Sequence, residues 1–178
     1  MNNSNNNLSF SNSNNNLSFS NSNNNLSFSN RRVANKKFAA GIVPYIVLEN
    51  KKYFLLGLER SNNLWSGFVG GSEPNETVEQ TALREFNEET ARIFEEYIPF
   101  IEAELIKTKP NMDITSTGKN VYIYFIEFPN ESQEKIKDFM DHCLEDPCYN
   151  EKSILRFFTV DEIKKSKVFF SLKKMFYY

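Results

Sequence analysis

The sequence predicts an α/β domain, with helices on both sides of a mixed β-sheet, preceded by a tail that forms no core. Three observations carry this reading. Past residue 30, short β-rich apolar runs alternate with stretches of helical period. A glycine turn, Gly70-Gly71, leads directly into one of those helices. The composition also changes abruptly near residue 30.

The tail comes first. Residues 5–30 repeat Asn-Asn-Asn-Leu-Ser-Phe-Ser-Asn-Ser at a period of nine, in three copies and without a charged residue. That period builds no continuous apolar face, and one Leu and one Phe per copy cannot offset the entropy of ordering the chain. A β-solenoid would need more copies. Residues 1–30 are therefore expected to be disordered, and they lack the basic start and apolar core of a signal peptide. Residues 31–178 are expected to form one domain of common size. The chain's 17 Phe, 14 of them in this domain, and 8 Tyr supply large apolar surfaces. A net charge of −2 provides no global field to attract nucleic acid. No apolar run is long enough to cross a membrane, and two cysteines build no disulfide framework, so a cytoplasmic protein is expected.

Phe38–Leu48 and Tyr53–Leu58 read as an antiparallel pair around a turn at Glu49–Lys52. Leu64–Val69 is a short extended run entering the glycine turn. A helix starts near Asn75 or Glu76, with Val78, Ala82, Leu83 and Phe86 as its buried stripe. We expect it to continue through Thr90-Ala91-Arg92-Ile93-Phe94 and to stop before Pro99. Phe100–Lys107 and Val121–Phe128 read as strands separated by a polar loop, Thr108–Asn120. Glu131–Leu144 has helical spacing, Ile154–Thr159 is a strand, Val160–Ile163 starts a turn or short helix, and Val168–Phe176 is an amphipathic helix.

The chemistry concentrates in the helix after the glycines. Glu85, Glu88 and Glu89 stand at i, i+3 and i+4, within about 100° of one another on one face. In an isolated helix such pairs repel by roughly a few tenths of a kcal/mol each. A hard divalent cation turns that repulsion into binding, because Mg²⁺ takes carboxylate oxygens and keeps positions for water and phosphate. Acidic helices are usually just solvated faces. A solvated helix mixes its charges, however, whereas Glu73–Glu96 carries eight acids against Arg84 and Arg92.

The spacing is more specific than the charge. From Gly70, five residues lead to Glu76, seven more to Arg84, then Glu85, apolar Phe86, one residue and Glu88-Glu89. This pattern resembles the Nudix box, the signature of the Nudix hydrolases (MutT-like domains), and covers Gly70 to about Arg92. Two positions depart from it: Ala91 stands where the family carries glycine, and Arg92 where it carries an apolar residue. The turn from Gly70-Gly71 to Pro74 also looks one residue shorter than in many relatives, which leaves Val69, Gly70 and Gly71 as candidates for the carbonyl that helps hold the metal.

The resemblance implies an α/β/α sandwich around a mixed sheet and hydrolysis of the pyrophosphate in a nucleoside diphosphate linked to another moiety. It implies Mg²⁺ or Mn²⁺ on Glu85, Glu88 and Glu89, with Glu88 and Glu89 as primary ligands and Glu85 as ligand or general base. Arg84, in the catalytic set by the same resemblance, reads as the group that holds a box glutamate in place; its i+4 partner is Glu88. Glu151 is the candidate downstream ligand, ahead of Glu127 and Glu104, which are read as strand residues.

Trp65, Tyr45 and Phe68 are candidate rings for a base, although aromatics are more often core. Asp141-His142-Cys143 and Cys148 match no common zinc spacing. The lysines and aromatics of Lys164–Tyr177 allow capped RNA as a partner, although a packed terminal helix with wet lysines is the commoner meaning. A nucleotide-type small molecule leads as substrate, mRNA decapping is the alternative, and a nucleotide-sensing module is the non-enzymatic reading. Retention of all three box glutamates argues against that last one.

Overall fold

Strand β1, Ala39–Leu48, is the axis of a seven-stranded mixed sheet in a computed structural model that describes residues 37–145 and 151–177. The Asn-rich repeat lies outside the described residues. β1 is apolar on both faces because both are covered. Ala40, Ile42 and Ile46 enter one core, and Ala39 and Val43 enter the other. One edge pairs in parallel with β6, Asn120–Glu127, from Ala39↔Val121 to Tyr45↔Glu127. The other edge is shared. Its first half pairs antiparallel with β4, Phe68–Gly71, and its second half with β2, Lys51–Glu59. Glu49 and Asn50, with φ of 49° and 62°, make the tight β1–β2 turn.

β2 runs on past β1 to pair with β3, Trp65–Ser66, and β7, Lys152–Phe158. β5, Asn111–Ile114, closes the opposite edge beside β6. It forms a hairpin within Thr108–Asn120, where the sequence suggested only a polar loop; two-residue alternation is too brief there to stand out.

Helix α1, Val78–Glu89, starts at an N-cap on Thr77, closed by a capping box with Gln80, slightly later than Asn75 or Glu76. With α2, Ile98–Lys107, and α3, Phe139–Glu145, it contributes to one face of the sheet, burying Val78, Ala82, Phe86, Ile101, Leu105 and Phe139. The other face is covered by α4, Val160–Lys165, and α5, Phe170–Met175, through Ile163 and Leu172. This is the expected α/β/α sandwich. Among the described residues, no helix is long and apolar enough to cross a membrane.

Two expectations are corrected. Phe100–Lys107 is helical rather than a strand: Ile101 and Leu105, four apart, are both buried, and Pro99 sits in the first turn, where its missing N–H costs nothing. Nor does α1 run on towards Pro99. It ends at Glu89, and Ala91 and Arg92 take left-handed φ values of 51° and 59°. Arg92 N–H donates to the Asn87 carbonyl and Ala91 N–H to that of Glu88, a Schellman closure. Each left-handed non-glycine residue costs about 1–2 kcal/mol. The reversal buries Ile93 and Phe94, the latter stacked 5.5 Å from Phe86, and two such side chains contribute about 1.5–3 kcal/mol each. Burial wins.

Candidate active site

Three elements meet at the site: the end of β4 with its glycine turn, the acidic face of α1, and the start of β7. Arg84 is its hub. Nε donates to Glu76 Oε1 at 2.7 Å and Nη2 to Glu76 Oε2 at 3.1 Å, a bidentate pair. Nη2 also donates to the Gly71 carbonyl at 2.8 Å, while Nη1 donates to Glu85 at 2.9 Å and Glu88 at 3.0 Å. Five N–H donors thus meet five oxygens, the full capacity of a guanidinium. Glu76 in turn accepts from Glu73 N–H and the Thr81 hydroxyl, so the turn and the helix are tied together. Burial alone would raise the Glu76 pKa, but Arg84, Glu73 N–H and Thr81 outweigh it and hold it below the usual value. The Glu76 hydrogen bond is the main reason the Arg84 pKa is raised.

Gly70 leaves room for the Glu85 carboxylate to lie against the turn. A Cβ there would lie 2.1 Å from the Cδ of Glu85, so any other residue would push that carboxylate aside. Burial raises the Glu85 pKa; Arg84 opposes the rise, and the charges of Glu88 and Glu151 add to it. Glu88 is the most open of the three, with its side chain 46% exposed. Glu89 is buried and accepts from Val69 N–H at 3.0 Å. Burial pushes its pKa up to about 8, against the pull of Lys152 and with further help from Glu59 and Glu151.

The sequence-derived residues Gly70, Gly71, Glu76, Arg84, Glu85, Glu88 and Glu89 therefore come together. Glu151 is exposed just before β7, and its charge is felt at both Glu85 and Glu89. Glu104 lies on α2, not on a strand, paired with Lys107, and Glu127 is exposed at the end of β6. Gly71 gives its carbonyl to Arg84, and Val69 gives its N–H to Glu89.

The donor set is all carboxylate, the type a hard cation takes. Among the described residues no three His, Cys, Asp or Glu side chains converge closely enough to hold a metal ion as they stand. Arg84 holds Glu85 and Glu88, and Lys152 faces Glu89. A cage of three is not required, because Mg²⁺ usually binds through one or two carboxylates and fills its octahedron with water and substrate phosphate. The residues present fit such an ion.

Beside the glycine turn opens a cleft of about 240 Å³, lined by Ala39, Glu59, Ser66, Gly67, Val69, Gly70, Gly71, Thr115, Lys119, Val121, Ile123, Phe169, Ser171 and Leu172. The Lys119 ammonium lies over Gly71, 3.5 Å from where a Cβ would stand. Phe169 is 47% exposed at its wall. The rings singled out from sequence are elsewhere. Trp65 packs edge-on against Phe158 at 4.7 Å, Tyr45 packs on Phe54 under Lys52, and Phe68 is fully buried against Phe86. His142 contacts the Ala91 carbonyl at 3.1 Å, and Cys148 lies outside the described residues. Sequence reasoning missed Lys152, Glu59 and Lys119, and it saw Phe169 only as one ring of the basic-aromatic segment Lys164–Tyr177, not as a wall of this cleft. Each is an ordinary strand-end or helix-end residue until the chain folds.

The family model of the NUDIX domain matches residues 39–177. No curated protein matches the sequence. Among solved structures, a binary complex of Ap4A hydrolase from C. elegans is similar at 19% identity and a TM-score of 0.51, covering 78% of this chain and 92% of the other. A mutT/nudix family protein from Listeria innocua is similar at 17% identity and a TM-score of 0.51, covering 78% and 88%. The NUDIX domain of Shewanella oneidensis NrtR, complexed with ADP ribose, is similar at 15% identity and a TM-score of 0.50, covering 84% and 89%. At these identities the likenesses bear on the fold. The family match spans both core layers and every site residue described above, and by it the chain belongs to the Nudix family, as a hydrolase of phosphoanhydride bonds.

Proposed function

We propose that the protein hydrolyses the pyrophosphate linkage of a nucleoside diphosphate joined to another group, with Mg²⁺ or Mn²⁺ held by Glu85, Glu88 and Glu89 and with Glu151 as a further ligand. The observation that carries this reading is one juxtaposition: the glutamate face of α1 abuts the Gly70-Gly71 turn, and that turn forms a wall of the cleft. Nudix enzymes in general use divalent ions of this kind.

The physical problem is anionic repulsion between two phosphates and an attacking water. When bound, the cation supplies charge neutralisation and an acidified water. The protein supplies position. Arg84 fixes Glu85 and Glu88 against the turn, a positioning role, since all five of its donors are already committed. Glu85, raised by burial, is the base we assign to the nucleophile's proton. Lys119 over Gly71 is placed to meet phosphate, and the exposed ring of Phe169 offers a face on which a base stacks.

Ap4A and ADP ribose, named for two structural neighbours, both head the test panel, with NTPs and capped RNA. Capped RNA is the second reading. It is favoured by Phe170 and Tyr177, 70% and 56% exposed, with Lys174 and Lys164 over their rings. Incubated with Mg²⁺ or Mn²⁺, the wild type is expected to release a mononucleotide from at least one substrate. Glu89→Gln is expected to lose about 10²-fold or more. Equal turnover by the two proteins would remove the metal-site assignment. We further assign residues 31–178 as the hydrolase domain and residues 1–30 as a tail outside it, and we place the protein in the cytoplasm, because two cysteines in the whole chain build no disulfide framework.

A further inference from the structure

Lys152 is the least expected residue of the site. Lysine is almost never fully buried unless paired, yet Lys152 has no exposed surface. The fold makes specific room for it. Between Gly57↔Leu155 and Glu59↔Lys152 the β2–β7 register slips, β7 spending one more residue than β2, and such a bulge re-aims a side chain. The stem then lies across Gly57, where a Cβ would come within 2.8 Å of it.

Its ammonium ends among four oxygens from four residues. These are Glu59 Oε1 at 2.5 Å, Ser66 Oγ at 2.7 Å, the Gly67 carbonyl at 3.3 Å and Glu89 Oε2 at 3.3 Å. Ser66 donates its own proton to Glu59, which leaves its lone pairs for the lysine. Two carboxylates, a hydroxyl and a backbone carbonyl are the donor set of a hard-cation site. Here the cation is part of the chain. Glu59, Ser66 and Gly67 also line the cleft, so this cluster lies between the cleft and Glu89.

We propose that Lys152 is a built-in cation of the active site: its ammonium occupies a cation position on the inner side of Glu89 and confines divalent ions to the outer side, towards Glu85 and Glu88. The inference rests on the metal-dependent reading above. It explains why Glu89 is buried without an adjacent carboxylate cage, and it gives Lys152 a positioning role. Glu59 carries the compensating charge that keeps the ammonium from claiming Glu89 outright.

The test is Mn²⁺ binding to the full chain, counted by the electron paramagnetic resonance of free Mn²⁺, for wild type, Lys152→Met and Glu59→Gln. Methionine keeps the apolar stem and vacates the four oxygens. Lys152→Met is expected to bind one more Mn²⁺ than wild type, or to bind it about tenfold or more tightly. Glu59→Gln, at a partly exposed position, is expected to shift the other way, weakening Mn²⁺ by several-fold, because the ammonium then pairs with Glu89 alone. Those opposite signs support the proposal. Unchanged Mn²⁺ stoichiometry and affinity in Lys152→Met, or weaker binding there, overturns it and leaves Lys152 a strut. Should Lys152→Met not fold, Glu59→Gln decides: unchanged or tighter Mn²⁺ binding overturns the proposal. A wild type that binds no Mn²⁺ overturns this inference and the metal-dependent reading together, whereas normal binding and turnover with an unresponsive Lys152→Met overturns this inference alone.

Discussion

Arg84 shows how one side chain can organise a site. Its guanidinium holds the turn through Gly71, the loop through Glu76 and the helix through Glu85 and Glu88. Lysine, with three donors and no planar fork, cannot repeat this. The strongest part of the hub is the Glu76 pair, with side chains only 22% and 16% exposed. Glu76→Gln is expected to cost about 1–3 kcal/mol at pH 7, since it leaves a guanidinium short of its charged partner. The pH dependence has a definite sign. The folded-state pKa of Glu76 lies below the ordinary glutamate value of 4.5, so its contribution is present above that value and is lost as pH falls through the folded-state pKa. Urea melts of wild type and Glu76→Gln should differ at pH 7 and converge under acid. A gap of equal size at both would mean that the carboxylate acts by shape, not charge. Part of this hub was readable in advance, because Arg84 and Glu88 stand four apart on a helix. The Gly71 and Glu76 contacts were not, because they depend on how the turn folds back over α1.

The C-terminus of α1 is where local and tertiary preferences compete within an element. Alanine favours helix and disfavours left-handed φ, so the sequence suggested continuation. What decided the outcome was the burial of Ile93 and Phe94, a tertiary term that no local pattern carries. The same blindness made α2 look like a strand, since a short apolar run fits either period until its partners are known. Lys152 was hidden for a related reason: a lysine before a strand reads as solvated, and only the bulge turns it inward. The Schellman closure gives a clean test at Ala91. Ala91→Gly relieves about 1–2 kcal/mol of left-handed strain and gives up about 0.8 kcal/mol of buried methyl. It should therefore be level with wild type or up to about 1 kcal/mol more stable. Ala91→Val, β-branched at positive φ in a packed position, should lose about 3 kcal/mol. Thermal melts that rank valine at or above glycine would contradict the closure.

Across the whole molecule, the two-layered cover of the sheet was legible in the sequence because a strand buried on both faces leaves an unbroken apolar run, here Phe38–Leu48, among interleaved helices. Ala40 and Ile42 alternate with Ala39 and Val43, and Ile163 and Leu172 mark a second covering layer. The cleft leaves no such record. It draws Ala39 from β1, Gly70 and Gly71 from β4, Thr115 and Lys119 from the β5–β6 hairpin and Phe169 from the approach to α5, segments brought together only by the closed sandwich. Phe169 is well placed to act there, because its backbone is pinned while its ring is exposed. Its N–H donates to the Trp65 carbonyl at 2.9 Å, next to the Trp65↔Val168 bridge. A base stacked on such a ring gains about 1–3 kcal/mol, or roughly 5- to 150-fold in affinity. Phe169→Ala is accordingly expected to raise KM for a nucleotide substrate by a factor in that range, with kcat changed by about threefold at most, because the carboxylates and Arg84 are untouched. Phe170→Ala is the control: that ring is more exposed, 70% against 47%, and does not line the cleft, so KM for a small nucleotide should stay within about twofold of wild type. Steady-state kinetics on both variants separates the possibilities. If the two substitutions raise KM alike, the base does not lie on Phe169, and the aromatic surface around α5 acts as a single patch, as a longer ligand such as capped RNA would use it.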